Sequence, residues 1–182
     1  MTHLVRRSLQ GVAVALVLGL LALLIWKVVH NPSSPVIRAE QSDAIVAAPP
    51  FTKARVDTTG TLSLASLRGK VVVLNFWQSY CAPCTAEAPT LAAGAKHWAG
   101  KGVVFVGVDE QDLHAPALKF LRRFGITYPI VADNLSLTGH YGVTGYPETF
   151  FIDRRGRVIP PHVIGGVTTK TLDAGIERAL TE

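Results

Sequence analysis

Gly11 to Trp26 is a run of sixteen residues without a polar side chain, and Val28 and Val29 extend it past Lys27. At 1.5 Å per residue, Gly11 to Val29 reaches roughly 28 Å, close to the hydrocarbon thickness of a bilayer. No polar face breaks the stripe, which argues against a surface helix of a globular domain. The run exceeds the apolar core of a secretory signal peptide, and Lys27-Val28-Val29-His30-Asn31 offers no small-x-small cleavage site. The pattern therefore predicts an uncleaved transmembrane signal anchor over 9–29. Arg6 and Arg7 precede it, so residues 1–8 are expected in the cytoplasm and the rest of the chain on the other side.

From 30 to 47 the hydrophobic period disappears, and Pro32 and Pro35 stand among Asn, Ser and Ala, the composition of a linker. Regular patterning resumes in a domain expected over 48–182. Phe51 to Leu64, around Gly60, reads as an N-terminal hairpin. Val71 to Trp77 and Val103 to Val108 are continuous apolar runs, the signature of strands buried on both faces. Between them Cys81 to Trp98 is rich in Ala and Leu and reads as a helix bent at Pro89. Pro116 to Phe124 follows as a helix, Ile130 to Ala132 as a short strand and Ser136 to Tyr141 as a short helix. A hairpin of Thr149 to Ile152 and Val158-Ile159 turns at Arg154-Arg155-Gly156. Leu172, Ile176 and Leu180 mark one face of a last helix beginning near Thr169. Alternating strands and helices of this kind imply an α/β fold, a central sheet with helices on both faces.

The composition removes other classes. With 48% hydrophobic and 17% charged residues the chain is neither collagen-like nor disordered. The net charge of +5 leaves little for nucleic acid: Arg6, Arg7 and Lys27 flank the apolar run, and the remainder carries 15 basic against 13 acidic residues. No nucleic-acid partner is expected.

The two cysteines, Cys81 and Cys84, stand in Tyr80-Cys81-Ala82-Pro83-Cys84, where a buried strand passes into a helix. A helix N-terminus favours a thiolate, which lowers the pKa of Cys81, while Cys84 lies one turn further in. Such a pair supplies an attacking thiol and a resolving thiol. Two other readings compete. A zinc site needs two more ligands, and His97, His114, His140 and His162 show no ligand spacing. A purely structural disulfide closes too short a loop to stabilise much. Cys-x-x-Cys at a strand-to-helix turn reads as a redox motif.

Val72-Val73-Leu74-Asn75-Phe76-Trp77-Gln78-Ser79-Tyr80-Cys81-Ala82-Pro83-Cys84, with Glu87 and Pro89 after it, resembles the thioredoxin-like TlpA/ResA/CcmG (DsbE) group of membrane-anchored thiol–disulfide oxidoreductases. Tyr141-Gly142-Val143-Thr144-Gly145-Tyr146-Pro147-Glu148-Thr149-Phe150-Phe151-Ile152-Asp153 resembles the same group's cis-proline segment. The resemblance covers about Ala48 to the C-terminus. It implies a thioredoxin-like fold with that group's insertion over Asp109 to Asp133, following an N-terminal transmembrane helix. It implies that Cys81 attacks, that Cys84 resolves, that Pro147 is the cis-proline beside the disulfide, and that Glu87 is an acidic group near the site. Read alone, Glu87 is equally a solvated carboxylate and Pro147 an ordinary proline at a strand start. Asn75 stands where plain thioredoxins keep a buried aspartate, Tyr80 where tryptophan is common, and Thr85 where Lys or Arg is common.

The resemblance implies reduction of protein disulfides outside the cytoplasm, on the periplasmic side of a bacterial inner membrane spanned once by the chain. Apocytochrome c is an expected client in cytochrome c maturation, with a transmembrane electron donor of the CcdA/DsbD type. No cofactor is expected beyond the redox-active Cys81–Cys84 pair itself. Competing functions are a disulfide oxidase or isomerase on the same scaffold, a peroxiredoxin-like peroxidase, and a tethered client-binding module without turnover. The peroxidase reading requires a Thr-x-x-Cys context, whereas Gln78-Ser79-Tyr80 precedes Cys81.

Overall fold

A computed structural model describes residues 2–29 and 34–182; within the first stretch the side chains described are those of residues 12–27. The chain divides into two compact units, Met1–Ser33 and Ser34–Glu182. Among the described residues the first holds helix α1 (Thr2–Val29), whose described apolar side chains, among them Leu16, Leu20 and Ile25, are exposed.

The transmembrane anchor expected over 9–29 is not upheld: among the described residues no helix is long and apolar enough to cross a membrane. The single-pass inner-membrane localisation inferred from that anchor falls with it, as does the membrane-anchored part of the resemblance. Met1, the Arg6 and Arg7 side chains on which the cytoplasmic reading of 1–8 rests, and linker residues 30–33 lie outside what is described.

The second unit opens with α2 (Pro35–Glu40), started by the Ser34 hydroxyl accepting the Val36 N–H, and β1 (Val46–Ala47). Part of the stretch read as linker is therefore folded. The hairpin expected around Gly60 forms from β2 (Thr52–Ala54) and β3 (Thr61–Ser63), and a 3-10 turn covers Leu64–Leu67. Then come β4 (Val71–Trp77), α3 (Ala82–Trp98), β5 (Val103–Glu110), α4 (His114–Phe124), β6 (Ile130–Asp133) and α5 (Ser136–Tyr141). The chain closes with β7 (Glu148–Ile152), β8 (Arg157–Ile164) and α6 (Thr169–Thr181).

Six strands form one mixed sheet in the order β1-β8-β7-β4-β5-β6. β5 runs parallel to β4 and β6 to β5, whereas β7 is antiparallel to β4, β8 to β7 and β1 to β8. All seven residues of central β4 are buried, as its unbroken apolar sequence requires. On one face α3, α4 and α6 contribute Ala88, Leu91, Phe120, Leu172 and Ile176 to a core with Val73, Phe105 and Phe151. On the other, Val36 of α2 and Leu137 and Tyr141 of α5 pack with Phe51, Leu74, Phe76 and Phe150. The sheet thus carries helices on both faces. The ends of β4, β5, β6 and β8 share one edge, and the cysteine pair lies there.

Candidate redox site

Helix α3 starts because Pro83 occupies its first turn, where a missing N–H costs nothing, and because Cys81 serves as its N-cap. The Cys84 N–H donates to Cys81 Sγ at 3.2 Å. Cys81 and Cys84 are joined by a disulfide, Cα to Cα 5.2 Å. Cys81 is partly exposed while Cys84 is buried at 2%. A reducing thiol can reach the first sulfur and not the second. The helix N-terminus and the Cys84 N–H together favour negative charge on Cys81 once the bond is opened.

The Tyr146–Pro147 peptide is cis, and the Tyr146 carbonyl oxygen lies 3.6 Å from Cys81 Sγ. The loop leading to it is held by Glu148, whose Oε1 accepts the Thr144 N–H at 2.9 Å, the Thr144 hydroxyl at 2.8 Å and the Gly145 N–H at 3.1 Å.

Glu87 faces inward from α3, 3% exposed. Its Oε1 accepts from Asn75 Nδ2 at 2.8 Å and its Oε2 from the Val167 N–H at 2.8 Å. Burial pushes its pKa up to about 7, and the two donors restrain a larger rise. Glu87 and Cys84 line one cavity of about 10 Å³ with Asn75, Trp77 and Tyr128, the space of roughly a single water. Burial, with Glu87 nearby, pushes the Tyr128 phenol up as well.

A second set of carboxyls underlies the turn before Cys81. Asp112 Oδ2 accepts the Ser79 N–H at 2.7 Å, and Gln78 Nε2 donates to the Glu110 carbonyl at 3.2 Å. Asp109, paired with Trp77 across β4 and β5, is buried, and its Oδ1 has no hydrogen-bond partner among the described residues. Burial first, then Asp112 and Glu110, push its pKa up to about 7.

The structure therefore brings Cys81, Cys84, Glu87 and Pro147 together at one sheet edge. Sequence reasoning assigned nothing to Asp109, Glu148 or His162 and did not pair Asn75 with Glu87. The available signal was an acid at the border of an apolar strand, as in Glu148-Thr149-Phe150-Phe151-Ile152 and in Val106-Gly107-Val108-Asp109. Among the described residues no group of His, Cys, Asp and Glu is arranged to hold a metal ion.

A model of the AhpC/TSA family matches residues 46–160. The thiol-disulfide oxidoreductase ResA of Bacillus subtilis is 34% identical over 118 residues, 64% of this chain and 65% of that protein. The thiol:disulfide interchange protein DsbE of Pseudomonas fluorescens is 40% identical over 119 residues, 63% of this chain and 64% of its own length. The chain thus spans less than two thirds of either relative. The crystal structure of a thiol:disulfide interchange protein of the thioredoxin family from Chlorobium tepidum superposes with a TM-score of 0.67 at 28% identity, covering 74% of this chain and 95% of that one. The chain belongs to the AhpC/TSA family.

Proposed function

We propose that this member of the family is a thiol–disulfide oxidoreductase that transfers two electrons from its Cys81–Cys84 dithiol to a disulfide in a client protein. The observation that carries the reading is the partly exposed Cys81 at a helix N-terminus, bonded to a buried partner that shares a cavity with the Glu87 carboxyl. In the reduced protein the Cys81 thiolate attacks one client sulfur. A mixed disulfide forms and the other client sulfur leaves as a thiolate. Cys84 gives its proton to the Glu87 carboxylate and attacks Cys81 Sγ. The first client sulfur departs and takes up a proton, and Cys81–Cys84 is oxidised. A donor dithiol protein must then reduce it for another cycle.

A protein client is favoured over a small thiol by what surrounds the site. The exposed large apolar side chains described in 34–182 are Tyr80, Leu113, Leu135 and Ile164. They follow the ends of β4, β5 and β6 or close β8, all at the edge that holds Cys81. An apolar rim of that kind suits an unfolded segment around a client cysteine. The resemblance to the ResA and DsbE group supports an apocytochrome c Cys-x-x-Cys-His segment as that client and a CcdA/DsbD-type protein as the donor.

The test is a trapping experiment with the full chain. Replacing Cys84 (Cys84→Ser) is expected to accumulate a mixed disulfide at Cys81 with an oxidised apocytochrome peptide, and Cys81→Ser to abolish both trapping and insulin reduction. Full reductase activity in Cys81→Ser overturns the mechanism. A Cys81–Cys84 potential near or below the ~−270 mV of thioredoxin supports a reductant, and one near ~−120 mV reverses the direction of transfer.

A further inference from the structure

Away from the cysteines, one polar cluster ties the loop beside Cys81 to the first helix of the domain. His162 lies on β8 with its side chain only 6% exposed. Its Nδ1 pairs with Glu40 Oε2 from α2, and its backbone N–H donates to Glu40 Oε1. On the other side of the ring, Nε2 lies 3.2 Å from Glu148 Oε2. Phe150 covers one ring face, stacked at 4.4 Å between centroids. Glu148, 1% exposed, commits its second oxygen to Thr144 and Gly145. That loop ends in the Tyr146 carbonyl beside Cys81 Sγ.

A neutral imidazole carries one N–H; here a carboxylate faces each ring nitrogen. In the neutral form one buried carboxylate oxygen would face a nitrogen lone pair, and neither group would be satisfied. The imidazolium bonds Glu40 through Nδ1 and sets its charge 3.2 Å from Glu148 Oε2, a buried oxygen with no hydrogen-bond partner among the described residues. We propose that His162, in its charged form, is a positioning residue for the Thr144–Pro147 loop, linking it through Glu148 to Glu40 on α2, and that loss of its proton loosens the loop and weakens capture of a client disulfide at Cys81.

The link from His162 to the loop rests on geometry alone; its effect on capture rests on the redox reading above. The titratable groups facing the ring are Glu40 from α2 and Glu148 from β7. Burial acts to lower the His162 pKa, but the two carboxylates outweigh it and hold it above the ordinary 6.5. For Glu148 burial acts upward, and the bonds from His162 and Thr144 bring it below its usual value. With a raised histidine pKa the clamp is complete below the unfolded value and is lost as pH rises through the folded one.

A pH titration of the oxidised full chain by NMR tests the first part. The Thr144 and Gly145 amides are expected to shift with the same midpoint as the His162 ring. That midpoint should fall in Glu40→Gln, and the amide response should vanish in His162→Gln. Amides that stay flat, or a midpoint unmoved in Glu40→Gln, overturn the proposal. Kinetics with insulin as the client test the second part. His162→Gln should raise KM roughly three- to tenfold, as for one lost charge-assisted contact, with a smaller change in kcat. Glu40→Gln should move the alkaline rise in KM to lower pH. An unchanged KM overturns the effect on capture. A wild-type chain that reduces no insulin overturns the redox reading instead, and the amide titration then still decides the clamp.

Discussion

Glu87 is held where its charge is costly: 3% exposed, with Asn75 and the Val167 N–H as its two donors. Its folded pKa of about 7 lies above the 4.5 of the free side chain. The folded protein therefore binds more protons than the unfolded chain between those values, and stability must fall as pH rises across that window. Asp109, raised to about 7 from 3.8, acts in the same direction. Glu87→Gln is expected to remove its share, making the oxidised protein more stable than wild type at pH 8 by about 3 kcal/mol and little different at pH 4. Urea unfolding at the two pH values reads this directly. The same variant should slow resolution of the mixed disulfide by ~100-fold, because Gln cannot take the Cys84 proton. Motif spacing made Cys81 and Cys84 legible as candidates, and the family resemblance added Glu87 and Pro147. His162 and Asn75 were not legible in the same way, because their partners lie 122 and 12 residues away and nothing local marks a side chain whose meaning is its partner.

Elements were legible where burial is uniform and illegible where it changes within a few residues. β4 and β5 announce themselves because both faces are covered. β8 does so only at Val158-Ile159, since two prolines follow and its last four residues are only partly covered or exposed. α2 has six residues and a leading proline, too short for any hydrophobic period to repeat. Helix α6 shows what the pattern of apolar positions omits. Its Leu172 and Ile176 face the core as their spacing requires, but Gly175 between them sets how close the helix approaches the sheet. A Cβ at Gly175 would lie 2.3 Å from the ring of Phe151, itself 1% exposed. The ring has no room to retreat, so Gly175→Ala must shift α6 or displace Phe151. Overpacking of this kind costs about 1–3 kcal/mol, seen as a lower urea midpoint with an unchanged slope. A midpoint equal to wild type would mean that α6 moves freely against β7. At the helix start the Thr168 hydroxyl accepts the Thr171 N–H within a reciprocal capping box. Thr168→Ala should cost ~1 kcal/mol in the same assay.

For the molecule as a whole, the boundary of the folded unit separates what composition reports from what packing requires. The resumed patterning and the family resemblance place the domain start at about Ala48, whereas the compact unit begins at Ser34. The fourteen residues between look like a tether because they show no sustained hydrophobic period. Yet Val36 is 1% exposed in the core beneath Tyr141, β1 closes the sheet edge on β8, and Glu40 holds His162. A chain beginning at Ser34 keeps all of these; one beginning at Ala48 loses them together. Burial of Val36 is worth ~1.5–3 kcal/mol, and the charged pair to a 6%-exposed imidazole about as much. The shorter chain should therefore be less stable by about 3–5 kcal/mol near pH 6, a large fraction of the stability of a domain this size. Part of that difference depends on a protonated His162. The gap between the two chains should narrow as pH rises past the raised histidine pKa, down to the share that belongs to Val36 and β1. Paired urea titrations from pH 6 to 9 would show it. Equal stabilities would mean that residues 34–47 are a tether after all, and a gap independent of pH would assign the whole effect to apolar packing and none to Glu40.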